Sequence, residues 1–342
     1  MRPRLLPDTH LLPSDQGVVI RGPKHTVALP APGLYPWLER LRPFLDGSRS
    51  VDDLVTDLPP QTAQHVRTLV ELLVREGFVR DAGTDLPHTL SPEVRARHAA
   101  LIDFIALRSN SPEYRFERYR NCAPVVTGSG RLASALVLAL LASGIEHVRL
   151  LVTRTGDRTG PDVNIARLRE CVELLRGAGG CFRYEEISAG VSDGLSEELS
   201  EGLSELPRDT GVLLFGADTC DRETQAGVRA LAARSRAWYG QAVATRSQVL
   251  ISAVSRLDDT TVSRPDHGSE DGCAQKGMEQ PSPYLGGPVA ALAADQLCLH
   301  LLRQITGPAE QEHAGDQPAA SGAAVLELAT GRFLTTSPVR SA

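Results

Sequence analysis

In the first 81 residues the apolar positions change their period from two to between three and four. Gly17 to Arg21 and His25 to Leu29 are β-rich runs on either side of Gly22-Pro23-Lys24, a spacing and turn chemistry that predict a hairpin. Pro30 and Pro32 stop the second run. Leu34, Trp37, Leu38, Leu41 and Leu45 then recur at helical spacing as far as Asp46-Gly47, and Pro36 and Pro43 predict that this helix is short or broken. Ser50, with Asp53 three residues on, opens a second helix that runs to about Asp57. A third follows Pro59-Pro60 and sets Ala63, Val66, Leu69, Val70 and Leu73 on one face up to Gly77, after which Phe78 to Arg80 returns as a short strand. Hairpin, three helices and returning strand are the content of an α+β winged helix-turn-helix module over residues 1–81.

Residues 82 to about 91 are rich in Thr, Pro, Gly and Asp, and a helix from about Pro92 to Leu107 follows, so 82–121 is expected to be a linker and connecting helix. The pattern then becomes one of alternating strands and helices. Ala123 to Thr127 is a buried-type strand, Gly128-Ser129-Gly130 a tight loop, and the next apolar helix runs to Ala142. His147 to Val152, Val212 to Phe215 and Gln248 to Val254 are further strands, and Val163 to Arg176 a further helix. This alternation predicts a doubly wound, mostly parallel, Rossmann-like α/β domain over 122–335 with a tail at 336–342. Gly194 to Glu205 repeats a Leu-Ser-Glu theme and is expected to be a solvated acidic helix or insertion. Leu257 to Pro283 is expected to be a mobile loop.

A chain of 342 residues accommodates two such domains. With 42% hydrophobic and 23% charged residues, and no apolar run of the ~18 residues a membrane span needs, a soluble cytoplasmic protein is expected. The net charge of -6 argues against a nucleic-acid partner. So does the third helix, where Glu71 and Glu76 offset Arg67 and Arg75 and disfavour a winged-helix regulator. Cys122, Cys171, Cys181, Cys220, Cys273 and Cys298 form no C-x-x-C pair, so reduced, mostly buried thiols are expected, with no bound metal.

Gly128-x-Gly130-x-x-Ala133 follows a strand and opens a helix, which is where backbone N–H groups approach a phosphate. Close helix-to-strand packing demands the same small residues. The second strand ends in Val152-Thr153-Arg154 without the acid that would hold a dinucleotide ribose. Asp218-x-x-Asp221, after the strand Val212 to Phe215, has a spacing suited to Mg²⁺ or to capping the next helix.

Four segments give the second domain a resemblance. "VVTGSGRLASALVLALLASGIEHVRLLV" at 125–152, "ADTCDRET" at 217–224, "GGPVAALAADQLCLHLLRQITG" at 286–307 and "AAVLELATGRF" at 323–333 are similar, in order, to the ubiquitin-activating, ThiF-type adenylating fold. The third resembles that family's dimer-helix signature and implies a homodimer through this domain. The resemblance also implies an arginine and a lysine on ATP phosphates, yet Lys24 and Lys276 are the only lysines. "DVNIARLRE" at 162–170 retains Asn164 and Arg167 of the family's Asn-Leu-x-Arg-Gln segment, and the paired zinc cysteines are absent. Pre-placed cations are each worth about 3 kcal/mol to such chemistry. The expectation is therefore a vestigial nucleotide site at Gly128, Gly130, Asn164, Arg167, Asp218 and Asp221, without cofactor, the alternative being a residual adenylating enzyme.

"LLPDTHLLPSDQGVVIRGPKHTVALPAPGLYPWLERLRPFLDGSRSVDDL" at 5–54 and "LVELLVREGFVRD" at 69–81 are similar to the leader-recognition element fused to such degenerate domains. Those fusions are Ocin-ThiF-like partner proteins of azole-forming peptide pathways, thiopeptides included. The resemblance implies a noncatalytic adapter that takes a precursor leader peptide as an added strand and presents it to a YcaO-type cyclodehydratase. His25, Thr26, Val27, Ala28 and Leu29 are then the receiving edge, and Leu69, Leu72 and Arg75 the facing wall. Plain core packing accounts equally well for Val27, Leu29 and Leu69.

Overall fold

A computed structural model describes residues 1–153, 163–189, 211–219, 222–257, 282–307 and 323–335. The chain divides into two compact units, Met1–Glu117 and Arg118–Ala342. In the first, β2 (His10–Ser14), β3 (Gly17–Arg21) and β4 (Thr26–Leu29) form an antiparallel meander, and β1 (Pro3–Leu5) pairs instead with β5 (Val79–Asp81). Between β4 and β5 lie α1 (Leu34–Leu41), α2 (Val51–Val55) and α3 (Pro60–Arg75). Leu38, Leu73, Ile20 and Phe78 are almost fully buried at the centre of this layer.

The hairpin, the three helices and the returning strand fall where the periodicity predicts. Pro36 does not break α1, because it sits in the first turn where an N–H has no helical partner. Pro43 ends the helix by starting a 3-10 turn at Arg42–Phe44. Ser50 and Asp53 form the reciprocal capping box of α2. The expected helix from Pro92 to Leu107 is two helices, α4 (Pro92–Arg97) and α5 (Ala99–Ala106), divided at His98, and α6 (Pro112–Arg120) follows. The stretch expected to be a linker is bonded within the first unit: Leu86 N–H donates to Ser111 Oγ at 2.9 Å and Arg80 pairs with Asp85 at 2.6 Å.

The second unit contains β6 (Val125–Ser129), α7 (Gly130–Ala142), β7 (His147–Thr153), α8 (Ile165–Gly177), β8 (Arg183–Ala189), β9 (Val212–Ala217), α9 (Arg222–Arg234) and β10 (Trp238–Ala244). They are followed by β11 (Gln248–Ile251), β12 (Ser255–Arg256), α10 (Gly287–Thr306), β13 (Ala324–Glu327) and β14 (Phe333–Thr335). The sheet order β14-β13-β11-β10-β9-β6-β7-β8 is parallel from β8 to β10 and antiparallel beyond. Winding therefore reverses between β6 and β9, the switch point where doubly wound sheets open a crevice at the carboxyl ends of their strands. Every residue of β9 is buried. Among the described residues no helix is long and apolar enough to cross a membrane. The Leu-Ser-Glu repeat and nearly all of the expected loop at Leu257 to Pro283 lie outside the described residues.

The expectation of mostly buried thiols is corrected: of the described cysteines Cys298 is buried, Cys122 and Cys171 are half-buried and Cys181 is exposed. Local packing overrides the general tendency, since Cys181 stands in the turn after α8. Burial pushes the Cys122 thiol up to about 12 and the Cys298 thiol further still. Among the described cysteines, iodoacetamide at neutral pH should therefore label Cys181 first and leave Cys298 unmodified until the unit unfolds, as read by mass spectrometry of the corresponding peptides.

Candidate functional site

Each unit carries its own candidate. In the first, β4 pairs with β3 alone among the described residues. Gly22 N–H donates to His25 C=O at 2.9 Å and closes the hairpin. Bonded and non-bonded pairs alternate in an antiparallel ladder, so Val27 and Leu29 spend their backbone groups on β3. The N–H and C=O of Thr26 and Ala28 consequently face the open edge. Their side chains are exposed, whereas those of Val27 and Leu29 are half-buried against the core. The opposite edge, β2, is blunted by Pro13, which has no N–H to offer.

Leu69 is 4% exposed and belongs to the core, Leu72 is half-buried, and Arg75 is exposed with its guanidinium 3.2 Å from the Glu76 carboxylate. The His25 ring stacks on Phe78 with centroids 4.7 Å apart. At the other end of α3, the rings of Trp37 and His65 meet edge to face at 4.9 Å. Trp37 falls in the apolar period of α1, whereas His65 belongs to no motif or period, and their meeting joins α1 to α3.

The second candidate is the switch point. Gly128 has φ 130°, and a Cβ there would stand 1.9 Å from Gly216 C=O on the neighbouring strand. Gly130 has φ 68°, and its Cβ would stand 2.3 Å from the Asp218 carboxylate. That carboxylate, 4% exposed, accepts the N–H of Arg131 and of Leu132, each at 2.8 Å. Asp218 thus caps α7, not the helix that follows it in sequence, and two of the donors at the start of α7 are already used. Burial is the larger influence on Asp218 and raises its pKa, against the lowering effect of the two N–H donors.

Asn164 caps α8 by accepting Arg167 N–H at 3.0 Å. The Arg167 side chain lines a cavity of about 1210 Å³ along α7, bordered by α8 and α10. Its polar end holds Gly130, Arg131, Asn164, Arg167 and Asp218, and the rest is floored by Leu138, Ala139, Leu174 and Leu175. Arg131, adjacent to the glycine loop and unmarked by the sequence reading, hydrogen-bonds Leu285 C=O. Asp221 and Lys276 lie outside the described residues. No group of three His, Cys, Asp or Glu is placed to hold a metal ion among the described residues.

No family model matches this chain. No curated protein matches it either. Solved structures do. Escherichia coli MccB with AMPCPP and selenomethionine MccA superposes with a TM-score of 0.59 over 100% of this chain and 98% of that one, at 14% identity. The microcin C7 biosynthetic enzyme MccB in complex with N-formylated MccA gives 0.57, 99%, 98% and 13%. PaaA gives 0.59, 96%, 98% and 16%. At this identity the likeness establishes the fold alone: mixed α/β with a mostly parallel, Rossmann-like central sheet.

Asp218→Ala should destabilise the second unit by about 1–3 kcal/mol, because two buried N–H groups lose their acceptor. A raised folded-state pKa means that this group's contribution is whole below 3.8 and is lost as pH rises through its folded value. The stability difference between wild type and Asp218→Asn, read from urea melts, should therefore shift against the wild type as pH rises above 3.8.

Proposed function

We propose that this chain is a noncatalytic adapter for ribosomally made peptide precursors. Residues 1–81 of its first unit, read as a winged-helix leader-recognition element, capture the leader on β4; a YcaO-type cyclodehydratase then forms the azoline or azole, as in thiopeptide-like pathways. The observation that carries the reading is the open edge at Thr26 and Ala28. Strand addition uses such an edge for affinity and the neighbouring pockets for specificity. Four backbone hydrogen bonds at about 1 kcal/mol each and two apolar anchors at about 2 kcal/mol each supply a gross ~8 kcal/mol, before the ordering of the peptide is subtracted. The co-crystallised MccA of the structural neighbours supports a peptide ligand.

The second unit is read as a degenerate adenylating domain running to about residue 335, followed by a tail. Gly128, Gly130, Asn164 and Asp218 all have packing or capping roles that need no nucleotide. Leu174, 74% exposed beside the cavity, suits a homodimer through this unit. A second reading, an ATP-using adenylating enzyme, is favoured by the AMPCPP bound to MccB.

Calorimetry with Mg²⁺ and ATP separates the two. The adapter should bind a leader peptide from a neighbouring Cys- and Ser-rich precursor gene and should not bind ATP. ATP affinity tighter than about 100 μM, or release of AMP or pyrophosphate, would overturn it. Ala28→Pro should weaken leader binding by about tenfold or more through loss of an outward N–H. Gly130→Ala should lower the melting midpoint of the second unit and leave leader affinity unchanged.

A further inference from the structure

Aromatic contacts tie β4 and its continuation into α1 to the two ends of α3. The start of β4 meets the end of α3, where His25 stacks on Phe78 and its ring lies 3.9 Å from where a Cβ on Gly77 would be. Chain leaving β4 passes through Ala31, whose C=O accepts the N–H of Leu34, into α1. One turn into α1, Trp37 reaches His65 in the first half of α3. The two ends of α3 therefore differ in chemistry. An aromatic pair closes one, Trp37 being 37% exposed. Arg75 stands at the other, with Glu71 and Glu76 as the opposing charges on its own helix, and exposed Lys24 lies in the turn just before His25.

From His65 to Arg75 the helix rises about 15 Å at ~1.5 Å per residue. An extended strand covers that in four to five residues at about 3.3 Å each. Side chains alternate along a strand, so those facing α3 at the two ends are separated by an even number of residues. We infer that the ligand of this edge is an extended peptide carrying an aliphatic or aromatic side chain against Trp37 and His65 and, four residues away, a carboxylate against Lys24 and Arg75. The carboxylate competes with Glu76 for Arg75. This rests on the strand-addition reading above and adds to it the side-chain pattern that the edge selects.

The test uses the full chain and a phage library of random 12-residue peptides (about one and a half times the paired length with its flanks,), with the Ala28→Pro chain as counter-selection. Enriched peptides are resynthesised and their affinities measured by fluorescence anisotropy. Apolar and acidic positions four residues apart are expected. Trp37→Ala should weaken such a peptide about tenfold, yet leave a peptide truncated to alanine at its apolar position within about twofold. Trp37→Phe, which keeps a ring, should retain most of the affinity. Arg75→Glu should weaken the acidic peptide and be rescued by the same peptide with lysine in place of its carboxylate. If selected peptides depend on Ala28 but show no coupling to Trp37 or Arg75, the inference falls and strand addition stands. If no peptide discriminates against Ala28→Pro, strand addition falls, and the inference with it.

Discussion

The carboxylate of Asp218 leaves the end of β9 and closes the first turn of α7, and the geometry of the second unit's switch point is arranged around that contact. A carboxylate accepting two N–H groups at 2.8 Å needs α7 to begin beside the strand end, and only glycine at 130 leaves room for it. Gly128 answers a separate demand, the approach of β6 to β9 opposite Gly216. The Gly-x-Gly pattern is thus explained by two steric requirements of the protein itself. A helix N-terminus is a ready anion site because its donors are free and its dipole is positive. At α7 two of those donors already serve an internal carboxylate.

Much of this fold is legible in sequence, and what is not shares a cause. The β3-β4 hairpin, the capping box of α2 and the limits of α3 follow from signals within a few residues of each other. β1 has only three residues and exists through its pairing with β5, some 80 positions away, so no local period announces it. β2 is obscured by Pro13. β8 carries Arg183, Glu185 and Glu186, as charged sheet edges do, with Glu186 held by Arg169 of α8. β10 contains Gln241, which reads as a break but is buried with its side-chain oxygen accepting from the Tyr239 hydroxyl at 2.7 Å and the Gln225 amide at 2.8 Å.

The candidate sites divide along the same line. That β4 is an edge is foreseeable from the prolines that end it, and that Leu69 is core follows from the period of α3. Asp218 as a helix cap was foreseeable in kind but not in target: sequence neighbours point to α9, and only the sheet order brings α7 within reach. Asn164, by contrast, caps the helix it precedes, so its role is local. Trp37 is legible as part of the apolar period of α1 and yet stands 37% exposed, and only the packing of α1 on α3 sets its ring against that of His65.

Exposed strand edges invite unwanted pairing, and proteins ordinarily blunt them. Here β2 carries a proline and β8 carries the charges of Arg183, Glu185 and Glu186. β4 has none of these protections across Thr26 to Leu29: no proline, no charge, and two residues whose backbone groups point outward. Its exposed side chains, Thr26 and Ala28, are small enough for another backbone to approach. Among the described residues the edge of β4 is left open where those of β2 and β8 are blunted. It acquires a physical reason when an extended peptide occupies it, and the unlike ends of the adjoining flank then determine which peptides can.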